Sequence, residues 1–534
     1  MKKNKKNFDY LTRREFIYLS GVGIAGVSLG FPDLGYGSEK RPKYGGRVRV
    51  AARYHSATLD PHKGRRLEDW QNSLMLYSAL TEVGELPGVK IYPMLAKSWD
   101  ISPDGREYIF PLREGIKFHS GKELHSGDVK YSLERVMNPA TKSPRRAAYK
   151  WVDSVDVIDK YHVKIKLKES FAPFLTTLTI RNCPIIPAGS KPQGSKAIPG
   201  TGPFKLKSFV PNESSEFTRF DQYWEYDEKT GDRLPYLDEI YIKKIIDPTV
   251  RWAALRAGDV DYVNAIPRNV AHKESKNPTP GTNTIIAKPV GFIRMVFNVT
   301  KPPFDNKKLR QAITYAIDKK ELIEAAWWGL GVPLNNQAFP EGSQYYLPME
   351  ERNIDLEKAK QLLAEAGFPN GLKVEFLQYS ASSAFPVCRA VVGQLRKIGI
   401  EGTIKVLDKA AVLAAIRKGR YGMNVLARSE RLDPDDAYYL LWHSSQAGKN
   451  NVTRYSNKEV DALLEKGRTT WQWAERAKIY AKVLKIIQEE VPTFFLGKQI
   501  SAIATRDYVS GRIAGMSTWL GYHQGGLKTV WLDK

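Results

Sequence analysis

Cysteine is almost missing from this 534-residue chain, which has only Cys183 and Cys388. Two thiols build no disulfide framework, and without a Cys-x-x-Cys they make neither a zinc ribbon nor a redox pair. Both read as small buried apolar residues. Histidine is scarce too: eight residues, dispersed, which argues against a preformed metal site. No apolar run reaches the roughly 20 residues that a membrane helix needs. Gly-x-Ser-x-Gly, His-Glu-x-x-His, the phosphate-cradling Walker loop and the dinucleotide fingerprint are all lacking, which removes the common hydrolase, zincin and nucleotide-binding classes. No solenoid repeat or low-complexity tract is present.

Acidic residues are in deficit: 58 Asp and Glu against 82 Lys and Arg, for a net charge of +24. Nucleic acid is not the expected partner, because the basic residues are scattered, often beside Asp or Glu, and no nucleic-acid motif accompanies them. The charge reads as a solvated basic surface that steers anions. Residues 1–37 hold six basic and three acidic residues and leave +21 on the remainder. They start with Lys2, Lys3, Lys5 and Lys6, continue through Thr12-Arg13-Arg14-Glu15-Phe16-Ile17, and end in a glycine-rich apolar run to Phe31. This is the pattern of an export signal, and the paired arginines resemble the twin-arginine motif that routes folded proteins across the bacterial inner membrane. Cleavage near Gly37 is expected. No Cys stands at that junction, so no lipid anchor is expected and the mature chain is read as free in the periplasm.

The remaining 497 or so residues suit two or three domains. Arg47 to Val50 alternates as a first strand, running into Tyr54-His55 and the turn Leu59-Asp60-Pro61. Val163, Ile165 and Leu167 mark one face of a strand from His162 to Lys168. Asp305 is expected to cap a helix carrying Leu309, Ala312, Ile313, Ala316 and Ile317. A second helix runs from Asp355 through Leu356, Ala359, Leu363 and Ala366 to Gly367. A third spans about Trp473 to Gln488 with Ala477, Tyr480, Leu484 and Ile487 inward. Such mixing predicts α/β or α+β.

The most telling stretch is Ile91 to Val136. Ser102-Pro103-Asp104-Gly105 supplies a turn, Tyr108, Phe110 and Leu112 alternate, and Ser126 caps a helix carrying Val129, Leu133 and Val136. It resembles the signature region of the bacterial extracellular solute-binding proteins called family 5, the oligopeptide-, dipeptide- and nickel-binding components of ABC importers. Leu59-Asp60-Pro61, Gly200 to Phe204, Tyr223-Trp224, Gly258 to Asp261, Pro303-Phe304-Asp305 with Arg310-Gln311-Ala312, and Ala359 to Gly367 follow in that family's order. The resemblance implies an α/β, two-lobed periplasmic binding protein (type II-like, cluster C) with an extra domain inserted in the first lobe. Mapped here, the first lobe is 38–80, 196–285 and 500–534, the extra domain 81–195 and the second lobe 286–499.

In peptide-binding relatives an acid four residues before a proline takes the ligand's amino terminus. Counting back from Pro434 puts Glu430 there, flanked by Arg428 and Arg431. The two arginines either satisfy Glu430 internally or turn to the cleft and bind a carboxylate or phosphate in forked geometry. Ala427 and Arg428 stand where relatives often carry an aromatic residue, a departure from plain peptide specificity. Tyr54 and His55 are placed to face the cleft, His55 having a second reading as a hydrogen-bonded structural histidine. Arg181 sits where some relatives meet anionic ligands. Trp519 and Tyr522 line the cleft floor or pack in the core.

The expectation is therefore a monomeric periplasmic solute-binding protein, using no cofactor and performing no covalent chemistry. It captures a peptide or peptide-like solute and delivers it to an inner-membrane ABC permease whose ATPase subunits are separate. A non-peptide anionic molecule or metal chelate is the alternative ligand. A twin-arginine-exported enzyme, revealed by a chromophore or metal, and a chaperone-like protein with a shallow groove are the rivals from other classes.

Overall fold

Val48 and Val50 alternate with two arginines in the strand Arg47–Ala52, and this alternation buries the valines in the middle of a seven-stranded sheet. The computed structural model describes residues 40–64, 69–84, 90–179, 183–192, 197–287, 289–512 and 525–534. The export signal read in residues 1–37 lies outside them. In spatial order the sheet comprises Thr282–Ile286, Ala502–Arg506, Tyr262–Val263, Arg47–Ala52, Glu239–Lys244, Ser214–Arg219 and Phe204–Val210. Arg47–Ala52 runs parallel to both neighbours, so Arg53, Ile245 and Asn264 emerge together at the carboxyl ends of three strands, where open α/β sheets bind ligands.

A second, antiparallel sheet (Asp100–Ile101, Glu107–Pro111, His162–Leu167, Val152–Asp159) has its own core. Tyr108, Phe110, Val163, Ile165 and Leu167 fill it, with Val129, Leu133 and Val136 of the helix Ser126–Met137. That helix is capped one residue earlier than its sequence suggests. His125 is the cap, and Asp128 accepts from the His125 N–H at 2.9 Å, while the Ser126 hydroxyl donates to the Asp159 carbonyl instead. Cys183 is buried in this core and Cys388 in that of the third body, where burial pushes each thiol up to about 12.

The third body is built on the antiparallel strands Gly331–Pro333, Thr493–Gln499, Val290–Phe297 and Met423–Arg428, with the parallel pair Leu372–Gln378 and Ile400–Val406. The helix expected to start on Asp305 starts on Asn306, whose side-chain oxygen accepts from Lys308 N at 2.9 Å. Asp355 caps the helix Leu356–Glu365 as expected. In the helix Trp473–Glu490, Tyr480, Leu484 and Ile487 are buried, but Ala477 is half-buried and Arg476 takes the inward place because Asp433 neutralises it.

Two chain passages join the first and third bodies side by side. Thr282–Ile286 leads to Val290–Phe297, and Thr493–Gln499 leads to Ala502–Arg506. They pair antiparallel on both sides of the crossing, and Ala287 N donates to Ser501 O at 2.8 Å between them. Adjacent crossings of this kind make a hinge. The antiparallel-sheet body reaches the third body elsewhere: Trp471 Nε1 donates to Pro103 O at 3.3 Å, Ala172 N to Arg468 O at 2.9 Å, and Val83 packs on Leu432.

Gly202 lies flush on the backbone of Leu76, donating to its carbonyl at 3.0 Å; a Cβ there would meet Leu76 C at 2.4 Å. Near it, His62 is buried with Nε2 against the Pro184 carbonyl at 2.8 Å and Nδ1 against Arg135 at 2.9 Å, while Arg135 forks onto Asp60. Burial first, and Arg135 beside it, lower its pKa from 6.5 to about 4. The unfolded chain then binds more protons below pH 6.5, so stability falls as pH drops from about 6.5 to about 4, by up to about 3 kcal/mol from this residue. Urea unfolding at pH 7.5 and 4.5 checks this, and His62→Gln is expected to reduce the loss of stability between those pH values by about that amount, the buried His55 and His119 keeping their own share.

Candidate functional site

Val290–Phe297 pairs with the edge strand Met423–Arg428, placing Phe292 opposite Arg428 and Arg294 opposite Leu426. Leu426 and Arg428 are two apart, so Arg294 and Arg428 share one sheet face as diagonal neighbours, about 7–8 Å apart. Beyond Arg428 the chain leaves the sheet as Ser429-Glu430-Arg431-Leu432-Asp433-Pro434 and enters the wide turn Asp435–Tyr439.

Glu430 is buried and already partnered. Lys498 Nζ lies 2.7 and 2.8 Å from its two oxygens, and Gly291 N donates to Oε2 at 2.8 Å. The side chains are 8% and 1% exposed, so the pair is shielded from solvent. Gly291 is required here: its φ is +63°, and a Cβ would stand 2.5 Å from the Arg428 carbonyl oxygen. The carboxylate expected for a ligand ammonium is thus held by a lysine of the neighbouring strand. Neither flanking arginine satisfies it.

The acids that follow each take one arginine. Asp433 forks with Arg476 at 2.8 and 2.5 Å, Asp435 with Arg468 at 2.9 and 3.1 Å, and both oxygens of Asp436 bind Arg431 Nη1 at 2.9 and 3.0 Å. Arg428 is left with Asn450 Oδ1 at 3.1 Å, and Arg294, 2% exposed, with the Thr493 hydroxyl at 3.4 Å. Burial lowers the Arg428 guanidinium from its ordinary value to about 9, with Arg431 and Arg294 adding repulsion, and burial lowers Arg294 to about 10. A guanidinium does not release its proton in a protein, so the direction records unmet demand for negative charge. Arg145, from the antiparallel-sheet body, lies within electrostatic reach of Arg431 and Asp436 and brings a fourth arginine to this region.

At the carboxyl end of the first strand, Tyr54 is 41% exposed with the Arg53 guanidinium 4.8 Å over its ring. His55 turns the other way. It is buried, with Nε2 2.6 Å from Ser215 Oγ and Nδ1 3.1 Å from Ser56 O, and burial lowers its pKa to about 4. Its structural reading is the one the geometry supports. Across the hinge, Arg268 donates to Gln499 Oε1 at 2.7 Å, one residue from Lys498. Arg181, Trp519 and Tyr522 lie outside the described residues. Among the described residues no cluster of His, Cys, Asp and Glu is arranged to hold a metal ion.

Sequence reasoning reaches Glu430, Arg428 and Arg431 but misses Lys498, Arg294 and Arg53. The first two were signalled by single charges inside apolar strands, TFFLGKQ and VGFIRMVF. Removing Lys498 strands a buried carboxylate. Lys498→Met is therefore expected to cost about 3–5 kcal/mol in denaturant unfolding, with Glu430→Gln in the same chain recovering much of it.

A family model described as bacterial extracellular solute-binding proteins, family 5 Middle, matches residues 90–450. Heme-binding protein A of Haemophilus influenzae is 31% identical over 453 residues, covering 79% of this chain and 81% of that protein. The glutathione-binding protein GsiB of Pectobacterium atrosepticum is 29% identical over 446 residues, 79% and 83% of the two chains. The solved structure of the periplasmic binding protein DppA from Helicobacter pylori in complex with the peptide STSA aligns with a TM-score of 0.74 at 26% identity, over 92% of this chain and 99% of that one. With its two-lobed α/β architecture, the chain belongs to the bacterial extracellular solute-binding proteins of family 5.

Proposed function

We propose that the chain is the periplasmic solute-binding component of an ABC importer, capturing a peptide or peptide-like small solute between its lobes and handing it to an inner-membrane permease whose ATPase subunits are separate chains. It reaches the periplasm by the twin-arginine route and works as a monomer. The first lobe comprises 38–80, 196–285 and 500–534, the extra domain 81–195 and the second lobe 286–499. No enzymatic step belongs to this reading.

One observation carries it: two separately cored sheets are joined by two adjacent strands that cross together, with Ala287 and Ser501 hydrogen-bonded at the crossing. Such a joint bends while the cores stay rigid, which lets a solute be enclosed and desolvated. Family membership supports the same reading.

The ligand reading shifts at Glu430. A ligand ammonium finds no vacant carboxylate there, because Lys498 fills that role. This favours the anionic alternative over a peptide held by its amino terminus. The relatives named for heme and glutathione bind molecules that each carry two carboxylates, glutathione being itself a peptide with a free amine, so what the two share is the pair of carboxylates. Glu430→Gln is accordingly expected to change solute affinity less than threefold by calorimetry.

Binding is tested by small-angle scattering with and without candidate solutes, together with thermal melting. A true ligand narrows the scattering envelope and adds about 2.7 kcal/mol of stability at a hundredfold excess over Kd. Superimposable profiles for every solute that stabilises the protein contradict lobe closure.

A further inference from the structure

Each described acid of the segment 430–436 is spoken for: Glu430 by Lys498, Asp433 by Arg476, Asp435 by Arg468, Asp436 by Arg431. Two guanidinium groups stand beside this segment without a carboxylate of their own among the described residues. Arg428 has one amide oxygen at 3.1 Å, and Arg294 one hydroxyl at 3.4 Å. Their Nε atoms are buried without a hydrogen-bond partner, as is that of Arg431. Three arginines so close, with one carboxylate between them, are costly out of water unless something else supplies the charge.

Resting on the solute-binding reading above, we propose that Arg294 and Arg428, with Arg431 alongside, form a subsite for a doubly anionic group of the solute, two carboxylates or one phosphate monoester. The diagonal placement of Arg294 and Arg428 on one sheet face brings two guanidinium forks to the same side of the sheet, where one short dicarboxylate or one phosphate can engage both. Planar guanidinium forks suit both groups. Arg145, from the antiparallel-sheet body, lies within electrostatic reach of Arg431 and Asp436 and adds positive charge to this region. Lys498 neutralises Glu430, so the acid expected to favour a ligand amine adds no net negative charge beside the arginines. Desolvated arginines reject an uncharged analogue more strongly than they select among anions, because its binding leaves the guanidinium groups unpaired.

The test uses the full-length mature protein, freed of co-purifying solute by dialysis, with glutarate and methyl phosphate as anionic probes, glutaramide as the uncharged control and alanyl-alanine as the amine-bearing one, all at equal ionic strength. The proposal expects glutarate or methyl phosphate to raise the melting temperature and glutaramide to leave it unchanged; which anion acts tells carboxylate from phosphate. Arg428→Gln and Arg294→Met are each expected to weaken that anion's binding at least tenfold in calorimetry. Arg294→Met is also expected to raise the melting temperature of the solute-free protein, since it removes a buried charge that lacks its counter-charge. An anion-induced shift that survives both substitutions, or no shift with either anion, overturns the subsite. Stabilisation by alanyl-alanine alone overturns it while leaving the solute-binding reading intact, and stabilisation by no probe at all counts against both.

Discussion

Lys498 meets Glu430 three residues before Ser501, where two strands pass from one sheet to the other, and much of the molecule's logic follows from that pairing. A lone buried carboxylate is expensive, and so is a lone buried ammonium; each makes the other tolerable, and Gly291 N–H completes the arrangement. The pair ties the loop after Arg428 to Thr493–Gln499, one of the crossing strands. Gln499, next in the chain, takes Arg268 from the first lobe. The carboxylate expected to meet a ligand's amino terminus is instead held by Lys498, beside the crossing strands.

The consequence is electrostatic. With Glu430 committed, the segment that follows pairs its own acids internally, and the surplus on this side of the joint is positive and partly desolvated. Coulomb interactions strengthen as solvent is excluded, so closure around an anion deepens its own well, whereas closure around a cation does not. The overall charge of +24 works in the same direction at longer range, raising the encounter rate of anions before any specific contact forms.

Much of the frame was legible in the residues alone. Period-two alternation placed Val163, Ile165 and Leu167 on a buried face, and helical spacing placed Leu309, Ala312 and Ile313, because local periodicity and burial report the same physical fact. Caps were misplaced by one residue at Ser126 and Asp305, since several neighbouring polar residues compete for the same free N–H groups and only backbone angle decides. His55 stood at the right strand end but turned inward to Ser215, an orientation that periodicity does not encode once the strand has ended. Glu430 was located by counting, yet its partner lies on a strand 68 residues later, and no local pattern announces a pairing made across a sheet. Lys498 and Arg294 were visible only as charges interrupting apolar strands, which marks an unusual environment without naming the partner.

Native mass spectrometry of the protein purified from its own host tests the central claim most directly, that two lobes close on an anionic solute which the Glu430–Lys498 pair does not contact. The account predicts one small co-purifying species of net negative charge, retained by Glu430→Gln and lost from Arg428→Gln. A co-purifying cationic or neutral peptide that is lost from Glu430→Gln and kept by Arg428→Gln contradicts it.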